Sequence, residues 1–206
     1  MNSFTNSREK LVEFLIENGI SDKNVLSAFR KIPRHLFVPE VLKFSAYKNS
    51  ALPIGFGQTI SQPYTVAYMT QMLEVQQNHK VLEIGTGSGF QTAILAVLSE
   101  RVFTIERIKE LTIKARKVHE KLNLYNIVYR VGDGILGWKE FSPFDRIIVT
   151  AAINEIPQNL INQLNDKGII IFPLKLKESQ KIVKIFKDGN KLTETYLKDC
   201  NFVEIL

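Results

Sequence analysis

The sequence predicts an α/β fold: a mostly parallel, doubly wound sheet that ends in antiparallel strands and carries an N-terminal helical cap. Three observations predict it. From residue 80 to residue 173 short apolar runs alternate with longer amphipathic stretches, the layout of right-handed βαβ units around a parallel sheet. The first run, Val81-Leu82-Glu83-Ile84, opens directly onto Gly85-Thr86-Gly87-Ser88-Gly89. A glycine-rich turn between strand and helix lets the backbone approach a ligand at the carboxyl end of the strand. Late in the chain, Asp188-Gly189-Asn190 separates strand-like runs at 181–187 and 191–197, a hairpin signal that makes the end of the sheet antiparallel.

Each element has its own warrant. Leu11, Phe14, Leu15 and Asn18 recur at helical spacing over residues 8–18, and Gly19 supplies the stop. Ser21 is placed to cap a second helix carrying Val25, Leu26 and Phe29, which ends before Pro33. Residues 34–39 form an apolar-aromatic connector. Residues 45–62 contain two glycines, one proline and no clear period, and an ordered loop of that length inside a domain is usually functional. Pro63 opens a helix bearing Val66, Ala67, Met69, Thr70 and Leu73. Strand 80–84 then leads to helix 90–99, and strand 101–105 ends at Glu106 and leads to a charged helix ending near Leu122. Strand 127–131 ends at Gly132-Asp133-Gly134. Strand 146–150 precedes a turn and a helix around 157–165, and strand 168–173 ends at Pro173. The expectation is one domain over residues 1–206, with 1–62 as cap and active-site loop and 63–206 as ligand-binding core.

Composition narrows the class. The 45% of hydrophobic residues is ordinary for a globular chain with a full core. No stretch approaches the roughly 18 uninterrupted apolar residues of a membrane span. The first ten residues lack the charged-then-apolar layout of a signal peptide, so a cytoplasmic protein is expected. The single cysteine, Cys200, excludes an internal disulfide framework and a Cys-rich zinc site. The net charge of +6 owes much to lysines at 175, 177, 181, 184, 187 and 191. Lysines on edge strands serve solubility and block edge pairing. There is no arginine-rich cluster with interleaved aromatics of the kind that binds nucleic acid.

Three ligands compete for the glycine turn. A nicotinamide site expects G-x-G-x-x-G, but Gly85, Gly87 and Gly89 give G-x-G-x-G and Phe90 stands where the third glycine would be. A phosphate-binding loop needs Gly-Lys-Ser or Gly-Lys-Thr, which is absent. S-adenosylmethionine remains. The glycine turn suits its methionine and ribose portions, Glu106 at the end of the second strand can accept from two ribose hydroxyls, and Asp133 at the end of the third can accept from the adenine amino group. Plainer roles exist for each. Glu106 could sit at the N-terminus of the next helix, and Asp133 could be a turn residue. Their joint occurrence at three successive strand ends favours the ligand.

The chain resembles the bacterial-type protein-L-isoaspartate O-methyltransferases. The matching segments are Pro53-Ile54-Gly55-Phe56-Gly57-Gln58-Thr59-Ile60-Ser61-Gln62-Pro63, the run from Val81 through Gly89, Thr104-Ile105-Glu106-Arg107, Gly132-Asp133-Gly134 with Gly137-Trp138, Pro143-Phe144-Asp145 and Val149-Thr150-Ala151-Ala152. Ile156-Pro157 with Leu160 and Gln163-Leu164 completes them. The match runs from about residue 8 to about residue 174. The glycine motif is common to many methyltransferases, whereas Gly57-Gln58-Thr59-Ile60-Ser61 is particular to this family. The resemblance implies a Rossmann-like S-adenosylmethionine-dependent methyltransferase. It would methylate the free α-carboxylate of isoaspartyl residues in damaged proteins and release S-adenosyl-L-homocysteine. The ester then closes to a succinimide, and hydrolysis returns some normal aspartate. By the same resemblance Ser61 is the active-site serine, and the cofactor contacts are Gln58, Thr59, Ile60, Ser61, Glu83, Gly85, Thr86, Gly87, Ser88, Gly89, Glu106, Arg107, Gly132, Asp133 and Gly134. No metal is expected.

Methyl transfer from a sulfonium is an in-line displacement, and a carboxylate is already ionised at neutral pH. Alignment rather than a general base should carry the rate. Ser61 is therefore read as a donor to the substrate carboxylate and not as a nucleophile, since no base partner is apparent; capping the Pro63 helix is its plainer role. Tyr64 stands where animal-type members have histidine, so only a general contact is expected there. His35 and His79 are read as structural or surface residues, His119 as exposed, and Trp138 as packing. The chain departs from the family pattern at Lys167-Gly168, where Gly-Gly is usual, at Pro173-Leu174-Lys175 in place of Pro-Val-Gly, and at Val203-Glu204-Ile205-Leu206 in place of a Val-Pro-Leu segment. The alternatives are a nucleic-acid methyltransferase and a non-catalytic S-adenosylmethionine-binding module on the same fold. Neither an Asn-Pro-Pro-Tyr-type motif nor a Pro-Cys nucleophile occurs. The expected partners are isoaspartyl proteins and peptides, with no nucleic acid, no membrane and a monomeric state.

Overall fold

The computed structural model describes residues 3–203. A seven-stranded sheet runs in the order β5-β4-β3-β6-β7-β8-β9. Its strands are β3 (Lys80–Ile84), β4 (Arg101–Glu106), β5 (Ile127–Val131), β6 (Phe144–Val149), β7 (Leu164–Lys175), β8 (Gln180–Asp188) and β9 (Lys191–Cys200). The pairs from β5 across to β7 are parallel, and β8 turns antiparallel against both β7 and β9. The order reverses beside β3, which makes the carboxyl ends of β3, β4 and β6 the switch point where ligands bind in such sheets.

Strand residues alternate between two covered faces, as a period of two requires. Val81, Val102, Ile148, Ile169 and Ile171 pack under α3 (Pro63–Leu73) and α4 (Phe90–Leu98). Leu82, Phe103, Ile147, Ile170 and Phe172 face the other way, toward α6 (Gln158–Ile161) and Trp138. α4 is apolar nearly all round because it is covered twice: Leu95 and Ala96 meet the sheet, while Phe90, Ala93, Ile94 and Leu98 meet the cap. The cap consists of α1 (Ser3–Glu17), α2 (Lys23–Lys31) and two 3-10 turns. Phe29 and Phe37 stack edge-on against Phe90, each with ring centres 5.6 Å apart. Arg34, only 1% exposed, donates to Ala46 O at 2.7 Å and to Ser50 O at 3.1 Å, and burial lowers its pKa to about 9.

Several sequence expectations need correcting. Asp22, not Ser21, caps α2: its carboxylate accepts from the backbone N–H groups of Asn24 and Val25. The 45–62 segment is not all loop; β1 (Leu52–Gly55) and β2 (Gln58–Ile60) form an antiparallel hairpin within it. The helix expected around 157–165 shrinks to the single turn of α6, because Leu164 already belongs to β7. The predicted βα helix before β5 is α5 (Lys109–Lys121), which ends at Leu122 as expected. Lys167, where the family usually has glycine, adopts φ +58; glycine would take that left-handed conformation without Cβ strain, and the Lys167 side chain forms an exposed ion pair with Asp188. The late lysines decorate the antiparallel edge, Lys181 pairing with Asp199 and Lys184 with Glu74. Among the described residues no helix is long and apolar enough to cross a membrane. The terminal Glu204-Ile205-Leu206 lies outside the described residues.

Candidate active site

The carboxyl ends of β3 to β6 wall a cleft. Gly85 N donates to Ile105 O at 2.8 Å and Thr150 N to Ile84 O at 2.9 Å, which ties the ends of three strands together. Gly85 has φ +95, and a Cβ there would lie 2.4 Å from Thr150 Oγ1, so only glycine fits. Gly87 N donates to Glu106 Oε2 at 2.8 Å, and Ile108 N donates to Oε1 at 2.9 Å. The carboxylate thus fulfils its plainer helix-start role. Each oxygen still has a lone pair to offer. Asp133 likewise makes a turn, accepting from Ile135 N at 3.0 Å through Oδ1, while its exposed side chain borders the cleft. Ile84, Ile105 and Ile108 add an apolar wall to the same lining.

Of the candidate contacts read from the sequence, all but Glu83 and Gly89 line this cleft. Glu83 lies behind the glycine turn and is fully buried. Its Oε2 accepts from Thr92 Oγ1 at 2.5 Å and from Thr104 Oγ1 at 2.7 Å, and Thr104 in turn meets Thr86 Oγ1 at 2.6 Å. Glu83 therefore joins α4, β4 and the glycine turn. Burial pushes its pKa up to about 8, against the two threonine hydrogen bonds that pull it down. Gly89, at φ +86, opens α4. A Cβ there would meet His119 Nε2 at 2.7 Å and Ala115 Cβ at 2.8 Å.

His119 is not exposed, contrary to the sequence reading. It is fully buried, with Nε2 2.8 Å from Gly89 O and Nδ1 2.7 Å from Tyr129 OH. A carbonyl can only accept, so Nε2 carries the proton and Nδ1 accepts from the tyrosine. Burial lowers the His119 pKa and keeps the ring neutral. His35 and His79 are structural as expected: His35 stacks on Phe4 at 4.2 Å, and His79 accepts from Gln76 N at 3.0 Å. Trp138 packs edge-on to Phe103. Tyr64 OH takes a hydrogen bond from Lys198.

Ser61 does not cap α3. Gln62 occupies the cap position and makes no side-chain cap bond. The Ser61 hydroxyl has no hydrogen-bond partner among the described residues, and it borders both the cleft and an adjoining polar recess. The recess is closed by residues 201–203. They are held by Ala152 N donating to Val203 O at 2.8 Å and Phe202 N donating to Gln180 Oε1 at 2.7 Å.

Residues 6–206 match the model of the protein-L-isoaspartate(D-aspartate) O-methyltransferase family. The chain belongs to that family. It is an S-adenosylmethionine-dependent protein carboxyl O-methyltransferase. A protein-L-isoaspartate O-methyltransferase of Dictyoglomus thermophilum is 50% identical over 202 residues, covering 98% of this chain and 92% of that one. One of Vibrio atlanticus is 48% identical, covering 96% and 95%. A solved protein-L-isoaspartate O-methyltransferase superposes with a TM-score of 0.88 at 30% identity; the match covers 96% of this chain and 65% of that one. A Plasmodium falciparum protein solved with S-adenosyl-L-homocysteine bound superposes at 0.84 and 24% identity, a likeness of fold.

The cleft of this isoaspartate methyltransferase fits S-adenosylmethionine. An added Cβ at Gly87 would meet only Ile54 within 4 Å, so the turn's backbone is bare toward a ligand. Glu106 keeps acceptor capacity, and no Lys-bearing phosphate loop competes for the site. The sequence reading missed the apolar wall and the lining residues Gln91, Thr150, Ala151, Phe202 and Val203. Thr150-Ala151 belonged to a family-matching segment, which was the available signal. Nothing local in the sequence marked Phe202.

Proposed function

We propose that this enzyme transfers a methyl group to the free α-carboxylate of L-isoaspartyl residues in damaged proteins and peptides, with Ser61 presenting that carboxylate. The observation that carries the proposal is the place of Ser61 in the walls of both the cofactor cleft and the polar recess, with an uncommitted hydroxyl. When bound, S-adenosylmethionine supplies an electrophilic methyl group on a sulfonium. The chemistry it would supply is displacement in line at that methyl carbon by the carboxylate oxygen, with the electron pair of the carbon–sulfur bond left on sulfur. No proton moves, so no base is needed. Ser61 donates to one carboxylate oxygen and orients it, which is where positioning earns rate.

On the donor side Glu106 accepts from the ribose hydroxyls and Asp133 from the adenine amino group. Gly85, Thr86, Gly87 and Ser88 supply backbone against the methionine portion. Gln58, Thr59, Ile60, Arg107, Gly132 and Gly134 complete the enclosure. Glu83 and Gly89 act from behind by holding the turn in shape. We further read residues 1–206 as a single methyltransferase domain that works as a cytoplasmic monomer on isoaspartyl proteins and not on nucleic acid. The single-domain part is supported by the core shared across the 62/63 boundary, where Leu52, Ile54 and Ile60 belong to one cluster with Val66, Ala67 and Phe90.

The test offers labelled S-adenosylmethionine with an isoaspartyl peptide, its normal aspartyl twin and bulk tRNA. Base-labile methyl ester should form on the isoaspartyl peptide alone. Equal label on both peptides, or label on the tRNA, would overturn the reading.

A further inference from the structure

The recess beside Ser61 is polar, yet among the described residues none that lines it is Lys, Arg or His. Its hydroxyl side chains are Thr59, Ser61, Thr65 and Thr150. We propose that Thr65 is a second donor to the acceptor carboxylate, oriented by Gln62, so that the recess holds an anion through neutral donors alone. The proposal rests on the reaction assigned above and adds the residue that completes its acceptor site.

A hydroxyl has one proton to give. Thr150 is already committed, since its Oγ1 lies 3.0 Å from Ile84 O and 2.6 Å from Gly85 O, both pure acceptors. Thr59 lies on the exposed side of β2. Ser61 and Thr65 remain. Gln62 Nε2 donates to Thr65 Oγ1 at 2.9 Å. That contact fills a lone pair on Thr65 and leaves its own proton to turn into the recess. Ser61 precedes the Gln62 cap and Thr65 sits in the first turn of α3, and both line the recess.

The absence of a cation from this wall has a chemical consequence. The acceptor oxygen starts with a negative charge and ends in a neutral ester. Its charge therefore declines toward the transition state. A lysine or arginine would stabilise the starting carboxylate more than the transition state and slow the transfer. Neutral hydroxyl donors orient the carboxylate with less of that penalty.

The test replaces Thr65 by Val, which keeps the side-chain shape and removes the hydroxyl. With the isoaspartyl peptide, kcat/KM should fall about tenfold, the scale of one hydrogen bond to a charged group. The loss should appear mostly in KM. Peptide binding measured by calorimetry in the presence of S-adenosyl-L-homocysteine should weaken by the same factor. The dissociation constant of S-adenosyl-L-homocysteine itself should not change, and Thr65→Ser should stay within about twofold of the parent. A wild-type KM in Thr65→Val, or a loss carried by S-adenosyl-L-homocysteine affinity, would overturn the assignment. A parent enzyme silent on the isoaspartyl peptide would remove the reaction reading, and this inference with it.

Discussion

The donor and acceptor halves of the cleft are built in different ways. The proposed donor half is framed by the ends of consecutive strands, each backed by buried structure, with Gln58, Thr59, Ile60, Phe202 and Val203 completing its lining. Glu83 joins Thr92, Thr104 and, through Thr104, Thr86 behind the glycine turn, and His119 clamps its far end at Gly89. The acceptor half is gathered from distant pieces: the β1–β2 hairpin, the start of α3, Thr150 and residues 201–203. Its Ser61 and Thr65 hydroxyls have protons still to give, whereas Thr150 is committed. A rigid half suits a ligand that is the same in every turnover. A half assembled from loops and chain ends suits a substrate whose flanking residues vary.

The largest expected effect is at the clamp. Gly89→Ala forces φ +86 on alanine and drives its Cβ to 2.7 Å from His119. It should cost about 3 kcal/mol of stability, the sum of left-handed strain and overpacking. Chemical denaturation measures this directly, and a midpoint like that of the parent would show that the clamp is slack. Next comes Glu106→Ala. It removes the proposed ribose acceptor together with the anchor of Gly87 N, so the affinity for S-adenosyl-L-homocysteine should fall about tenfold to a hundredfold. Calorimetry reads that loss. An unchanged dissociation constant would dissolve the contrast between the two halves from the donor side.

A smaller and pH-dependent effect belongs to Glu83. Burial lifts its pKa from an ordinary 4.5 to about 8. The folded protein therefore keeps a proton that the unfolded chain gives up across that window. The stability it contributes is full below about pH 4.5 and is lost as pH rises toward about 8. Glu83→Gln cannot titrate, so the fall in denaturation midpoint between about pH 5 and about pH 8 should flatten in that variant. His119 works in the opposite sense. Its lowered pKa makes its contribution full above 6.5 and fading as pH drops below. Parallel pH profiles for the parent and Glu83→Gln would contradict the burial argument.

The contrast also explains what could be read from the sequence. The donor half was legible because its signals are local: an apolar strand, a glycine turn, and an acid at each of the next two strand ends. The hairpin of the acceptor half was not. β1 and β2 have only four and three residues, and their two-residue turn places Phe56 at φ +56 beside Gly57 at +69. A primed turn normally announces itself by Asn-Gly or Asp-Gly; phenylalanine in that position hid it. His119 was masked by its charged neighbours Lys117, Glu120 and Lys121. Even so, its spacing of four from Ala115 and of eight from Leu111 follows the buried stripe of α5. Phe202 and Val203 reach the cleft only through tertiary contacts, to Gln180 and to Ala152.

The separation of the two halves is tested most directly by Ser61→Ala, measured twice on the same preparation: kcat/KM with an isoaspartyl peptide, and calorimetric affinity for S-adenosyl-L-homocysteine. The account predicts that turnover efficiency falls at least about tenfold, the worth of one positioned donor to a charged oxygen, while the affinity stays near that of the parent. A loss of affinity as large as the loss of turnover would place Ser61 in the donor half and contradict it.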